Sequence, residues 1–157
     1  MTKVKSYLSL IKFSHTIFAM PFALIGFFLA IFENTSVIPG WHTKVFPPAF
    51  DWSSLGIKLV LVILCMVFAR SAAMAFNRYL DRQYDAKNPR TAVREIPSGV
   101  ITPKNALAFT IISCLLFIAC TWFINSICFY LSPVALAVVL GYSYTKRFTP
   151  LCHLILG

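Results

Sequence analysis

Four apolar runs constrain this chain more than any other feature. They cover roughly Phe13–Phe32, Leu55–Phe76, Ala106–Ile124 and Ile127–Tyr144. A hydrocarbon core of ~30 Å takes about 20 helical residues to cross. A chain in lipid must satisfy its own backbone N–H and C=O groups, so such runs are expected to be α-helices packed together. Pro21 and Gly26 lie inside the first run, where a membrane helix tolerates them as a kink. Only Asn125 and Ser126 separate the last two runs, which predicts a tight helical hairpin. A fifth run starts near Leu151 and stops at Gly157. One or two turns do not make a span, so residues 1–157 are expected to be the N-terminal part of a longer single domain. The expected fold is all-α: a multi-spanning transmembrane helical bundle with four complete spans and the start of a fifth.

Composition narrows the alternatives. The 157 residues are 59% hydrophobic and only 12% charged, and mean hydropathy is +0.77. A soluble domain of this size needs more polar surface than that. The net charge of +9 does not point to nucleic acid, because the basic residues flank apolar spans instead of covering a soluble domain. The five cysteines show no metal-binding spacing and lie in apolar runs, as small buried hydrophobes do. The run from Phe13 is too long for the core of a cleavable signal peptide, and no small-x-small site follows it.

Charge sets the expected orientation, since Lys and Arg concentrate on the cytoplasmic side of inner-membrane proteins. Lys3, Lys5 and Lys12 precede the first span, and the loop after it carries only Lys44. The loop after the second span holds Arg78, Arg82, Lys87, Arg90, Arg94 and Lys104. The turn after the third span holds none, and Lys146 and Arg147 follow the fourth. The alternation places the N-terminus and the loop after the second span in the cytoplasm.

That loop opens with NRYLDRQYD, Asn77–Asp85, which contains two of the five acidic residues in the chain. If the second helix continues past Phe76, Asn77, Asp81 and Asp85 fall four residues apart. Each step of four turns about 40° and rises about 6 Å, so the three side chains share a face. Two carboxylates and an amide oxygen at this spacing suit Mg²⁺, which takes hard oxygen ligands and shares its shell with phosphates. Arg82 lies between the aspartates, with Arg78, Lys87, Arg90 and Arg94 nearby. Arginine forks pair with phosphate oxygens. Carboxylates for Mg²⁺ beside cations for phosphate, at a membrane surface, suggest a lipid diphosphate. The same residues also allow a plain salt-bridge cluster on a solvated helix end, in which Arg82 pairs with Asp81 or Asp85, and Asp85 with Arg78 or Lys87. Under that second reading the chain is a non-catalytic membrane subunit or transporter fragment. Anionic lipid headgroups would explain the basic loop equally well.

Two further residues are candidates for contact with a substrate. Arg70 lies about two turns inside the Asp81 end of the second span, where an arginine must snorkel or face a polar cavity. His15 lies near the cytoplasmic end of the first span, where a hydrogen bond within the bundle accounts for it as well.

The motifs together resemble the UbiA superfamily of intramembrane prenyltransferases. Asn77, Asp81 and Asp85 match its first aspartate motif, NxxxDxxxD. The stretch NPRTAVREIPSGVIT resembles its continuation, YSYTKRFT the segment after its fourth helix, and IKFSHTIFAMPFAL the opening of the 4-hydroxybenzoate polyprenyltransferase-like branch. The resemblance implies about nine membrane helices in the full protein and two Asp-rich motifs that hold Mg²⁺ against a polyprenyl diphosphate. It implies a metal-binding and catalytic role for Asn77, Asp81 and Asp85. It makes Arg82, Arg90 and Arg94 candidate diphosphate contacts, beside the further candidates Arg78, Lys146 and Arg147, with an aromatic hydroxy acid as acceptor in ubiquinone or menaquinone synthesis, its carboxylate a candidate partner for Arg70 or His15. Haem O synthase-like and chlorophyll synthase-like relatives remain alternatives for the acceptor. Arg78 stands where some members carry Asp, and with REIPSG this is similar to the branch of the futalosine route to menaquinone. No acidic residue follows Glu95, so the second motif is expected outside residues 1–157 and this chain alone is expected to be incomplete for catalysis.

Overall fold

The computed structural model describes residues 3–33, 36–37, 44–45 and 52–145. Helices dominate: α1 (Lys3–Leu10), α2 (Phe13–Glu33), α3 (Trp52–Lys87), α4 (Pro103–Ile124) and α5 (Ser126–Thr145). Between α2 and α3, two-residue strands β1 (Ser36–Val37) and β2 (Lys44–Val45) pair antiparallel, Ser36 opposite Val45. That small ladder and α1 are additions to what hydropathy predicts; the rest is the expected helical bundle. The fifth run from Leu151 lies outside the described residues.

Among the described residues, three helices are long and apolar enough to cross a membrane: Ser53–Lys87, Pro103–Ile124 and Ser126–Tyr144. The apolar stretch of α2 is shorter, Thr16–Ile31, and α2 runs as one helix through Pro21. α3 packs chiefly on α4, with α5 and α2 also against it. The contacts use small residues. Ser71, Ala72 and Ala75 are buried on α3, and Ala106, Thr110, Ser113, Cys120 and Thr121 on α4. Small side chains let backbones approach closely where lipid removes any hydrophobic drive between helices. The hydroxyls satisfy themselves within their own helices: Thr110 Oγ1 donates to the Ala106 carbonyl at 3.0 Å, and Thr121 Oγ1 to that of Ile118 at 2.8 Å. The outer faces are strongly apolar. Phe22 is 77% exposed and Phe123 72%, a surface that water would not tolerate and lipid does.

The α4–α5 hairpin turns on one residue. Asn125 donates its N–H to the Thr121 carbonyl at 3.2 Å, ending α4. Its Oδ1 accepts from the Ile127 N–H at 3.3 Å, and its carbonyl from the Phe129 N–H at 3.0 Å, starting α5. Across the turn, the Trp122 and Phe129 rings meet edge to face, centroids 4.6 Å apart.

The most densely buried cluster lies at the other end of the bundle. Leu10, Ala75, Ile96, Ile101 and Ala106 form it, with Tyr7, Tyr79 and Phe109 packed against them. It unites α1, α3, α4 and the 88–102 connection, and it sits directly beneath NRYLDRQYD. α1 ends at Lys12 in the left-handed conformation, φ 45°, a common way to stop a helix.

The 88–102 connection is a compact series of turns. The Thr91 and Ala92 N–H groups reach the Asn88 carbonyl, both at 2.9 Å; Ser98 N–H reaches Arg94, and Ile101 N–H reaches Glu95, both at 2.9 Å. Gly99 closes it at φ +78°, and a Cβ there would meet nothing within 4 Å. The demand for glycine is therefore one of backbone conformation alone. Gly99→Ala is expected to destabilise by about 1–2 kcal/mol, the cost of a left-handed L-residue, measured as a lower melting temperature in detergent. Thr102 then caps α4, its Oγ1 accepting from the Asn105 N–H at 3.2 Å, with Pro103 opening the helix.

Candidate functional site

α3 has 36 residues, about 54 Å at 1.5 Å per residue. It overshoots a ~30 Å hydrocarbon core, and the excess carries Asn77–Lys87 out of the apolar region as unbroken helix. Asn77, Asp81 and Asp85 therefore do share one face of a continuous helix, as their spacing predicts. Asp85 is buried and Asp81 partly so.

The structure resolves how the surrounding cations pair. Asp85 is held by Arg94 from the 88–102 connection: Arg94 Nη1 lies 2.7 Å from Oδ1 and 2.8 Å from Oδ2. The sequence alone suggested Arg78, Arg82 or Lys87 as that partner. Thr91 Oγ1 donates to the Asp85 carbonyl at 3.0 Å, tying the connection to the same turn of α3. Arg82 turns back along its own helix. Its Nη1 donates to the Tyr79 carbonyl at 2.7 Å and its guanidinium lies over the Tyr79 ring, 4.4 Å from the centroid. Arg90 is exposed, and its N–H donates to Asn88 Oδ1 at 3.0 Å.

Arg78 is the most buried arginine of the Asn77–Asp85 stretch. It is only 7% exposed, and its Nη1 has no hydrogen-bond acceptor among the described residues. Arg94 repels it, while Glu95, Asp85 and Asp81 attract it. A buried guanidinium N–H without an acceptor is costly. An anionic oxygen would satisfy it. Arg70, two turns further into the bundle, is partly buried, and its Nε likewise has no acceptor among the described residues. His15 lies on α2, its side chain outside what the structure describes. Lys146 and Arg147 also lie outside the described residues.

Glu95 and Ser9 are the residues that the sequence reading missed. Ser9 Oγ on α1 donates a short hydrogen bond to Glu95 Oε1. The available signal was the scarcity of acid: Asp81, Asp85 and Glu95 are three of five in the chain, and all three gather at one end of the bundle.

The donors suit a hard cation only in part. Asp81, Asp85 and Asn77 offer oxygen from one helix face, which matches Mg²⁺ that completes its shell with water and phosphate. Among the described residues, no three of His, Cys, Asp and Glu converge into a closed metal cage. With both Asp85 oxygens engaged by Arg94, a cation on this face would have to take most of its shell from water or a ligand.

The chain is that of a helical membrane protein whose longest described helix carries carboxylates and arginines interleaved at one end. The model of the UbiA prenyltransferase family matches residues 19–157. The 4-hydroxybenzoate octaprenyltransferase of Photobacterium profundum is 30% identical over 157 residues, covering 100% of this chain and 49% of that protein. The protein of the same name from Aliivibrio fischeri (strain MJ11) is 31% identical over 130 residues, 82% of this chain and 39% of its own. The apo structure of a UbiA homolog from Aeropyrum pernix K1 superposes with a TM-score of 0.68 at 31% identity, covering 91% of this chain and 45% of that one. This chain belongs to the UbiA prenyltransferase family. It spans less than half the length of these relatives.

Proposed function

We propose that the full-length protein transfers a polyprenyl group from its diphosphate to an aromatic hydroxy acid in quinone biosynthesis. The observation that carries this reading is the charge arrangement at the head of α3: Arg78, buried with an unsatisfied Nη1, beside the Arg94–Asp85 pair. Family membership and relatives named as 4-hydroxybenzoate octaprenyltransferases support it.

In this reading Arg78, Arg82, Arg90 and Arg94, with Lys146 and Arg147, bind the phosphate oxygens and stabilise the charge that grows on the leaving group. Asn77, Asp81 and Asp85 would hold Mg²⁺, which supplies further neutralisation of that charge when bound. The C–O bond to the allylic carbon breaks, and the lipid-facing bundle keeps water from the resulting cation. An electron-rich ring carbon of the acceptor forms the new C–C bond, and loss of a ring proton restores aromaticity. The Lys and Arg distribution supports a site that opens to the cytoplasmic side of the inner membrane, with the N-terminus on that side. Arg78 and the REIPSG stretch favour a dihydroxynaphthoate-type acceptor, and the names of the relatives favour 4-hydroxybenzoate.

The test is transfer of labelled polyprenyl diphosphate by the purified full-length protein, with each acceptor in turn and with Mg²⁺ or a chelator. Mg²⁺-dependent product with one acceptor is expected. No product with either, together with no Mg²⁺-dependent binding of the diphosphate, would favour the non-catalytic reading.

A further inference from the structure

Arg94 and Glu95 are adjacent in the chain and are held in different directions. Arg94 spans both oxygens of Asp85 on α3, and Glu95 accepts from Ser9 on α1. Beneath them, Leu10 of α1 is 0% exposed and packs with Ile96 and Ile101 of the same connection. Tyr7 of α1 lies against Phe109 of α4, ring centroids 5.2 Å apart. α1 thus touches the connection just beside the arginine that faces the candidate site, yet it carries none of the candidate ligands itself. It also lies before the matched family region, which starts at residue 19.

We propose that Ser9 and Glu95 are positioning residues: their hydrogen bond straps the 88–102 connection to α1 and so fixes the Arg94 guanidinium for anion binding. Arg94 already pairs with Asp85, and Thr91 ties the connection to α3, but the Arg94 side chain is about a third exposed, and without the Ser9 contact the backbone that carries it has more freedom on its α1 side. Ordering a long side chain is entropically costly at the moment of binding. A strap at the next residue moves that cost into folding. The Glu95 charge also faces the buried Arg78, so the same carboxylate is close to both cationic groups. The proposal rests on the reading of this end of the bundle as a diphosphate site.

The experiment is a double-mutant cycle in the full-length protein in nanodiscs, with inorganic pyrophosphate as the probe. Ser9→Ala is expected to weaken pyrophosphate binding about tenfold, the scale of a lost hydrogen bond to a charged group. Ser9→Thr, which keeps the donor, should recover most of it. If the strap acts through Arg94, Ser9→Ala should add little in an Arg94→Gln background, because coupled residues are not additive. An equal loss in both backgrounds would mean that Ser9 supports the fold in general, and would overturn the proposal. Hydrogen exchange supplies a second readout that needs no ligand. The Ser98 and Ile101 amides, bonded within the connection, should exchange faster in Ser9→Ala and at the native rate in Ser9→Thr. Unchanged exchange in Ser9→Ala would overturn the strap. If the native protein binds no pyrophosphate at all, the diphosphate reading fails, and the strap is judged on exchange alone.

Discussion

Asp81→Asn in the full-length protein is expected to lower prenyl transfer by about two to three orders of magnitude while leaving the melting temperature nearly unchanged. The magnitude is that of removing one group which organises charge in a transition state. The unchanged stability follows from position: Asp81 is only partly buried at the end of α3, and Asn keeps its shape. Asp85→Asn should lose activity on the same scale and stability as well. Both Asp85 oxygens are taken by Arg94 Nη1 at 2.7 and 2.8 Å, and neutralising the carboxylate leaves a guanidinium without its counter-charge. Breaking a fully buried pair costs about 3–5 kcal/mol. Arg94 is a third exposed, so solvent screens part of this and about 1–2 kcal/mol is expected. Activity of each variant at saturating Mg²⁺, paired with its thermal melt, separates the two effects. Near-native turnover in Asp81→Asn would remove the α3 face from the reaction. Equal melting temperatures for the two variants would contradict the structural part of the argument.

The second large effect concerns stability. Leu10→Ala is expected to destabilise the protein by about 2–5 kcal/mol, the range for deleting a fully buried leucine. Leu10 is 0% exposed and meets Ala75, Ile96, Ile101 and Ala106, small or rigid neighbours that cannot easily close a cavity. The matched control is Leu115→Ala on α4, where the leucine is 62% exposed to the lipid-facing side. That change removes a side chain from lipid contact and should shift the melt far less. Hydrogen exchange should show the Leu10→Ala damage concentrated in residues 94–101. Comparable melts for the two variants would mean that α1 is not anchored as described.

What could be read in advance follows from how far each signal reaches along the chain. The long helices were legible because lipid demands runs of about 20 apolar residues, and the hairpin because so little separates its two runs. The shared face of Asn77, Asp81 and Asp85 followed from helical periodicity once α3 was known to continue. The pairing of the charges was not legible. Asp85 binds an arginine nine residues on, across a series of turns that periodicity does not describe, while the nearer Arg82 turns back onto Tyr79. α1 was equally hidden. Its eight residues are too short for a hydropathy window, and its buried face is defined by residues from elsewhere in the chain, among them Ala75, Ile96, Ile101, Ala106 and Phe109. Glu95 drew no notice in the sequence, because its partner Ser9 lies 86 residues away.

The one-residue turn at Asn125 bears on how the protein is made. From Asn105 to Thr145 the chain carries no Asp, Glu, Lys or Arg, so beyond Lys104 in the first turn of α4 neither helix nor their junction brings an ionised group to the bilayer. A segment with no charged tip and no slack between its limbs has no loop to be translocated separately. The two helices would leave the insertion machinery as a single preformed unit, with Trp122 already against Phe129. Adding a charge at Asn125 would then act during biogenesis, on whether the pair enters the membrane at all, before it could affect the finished fold.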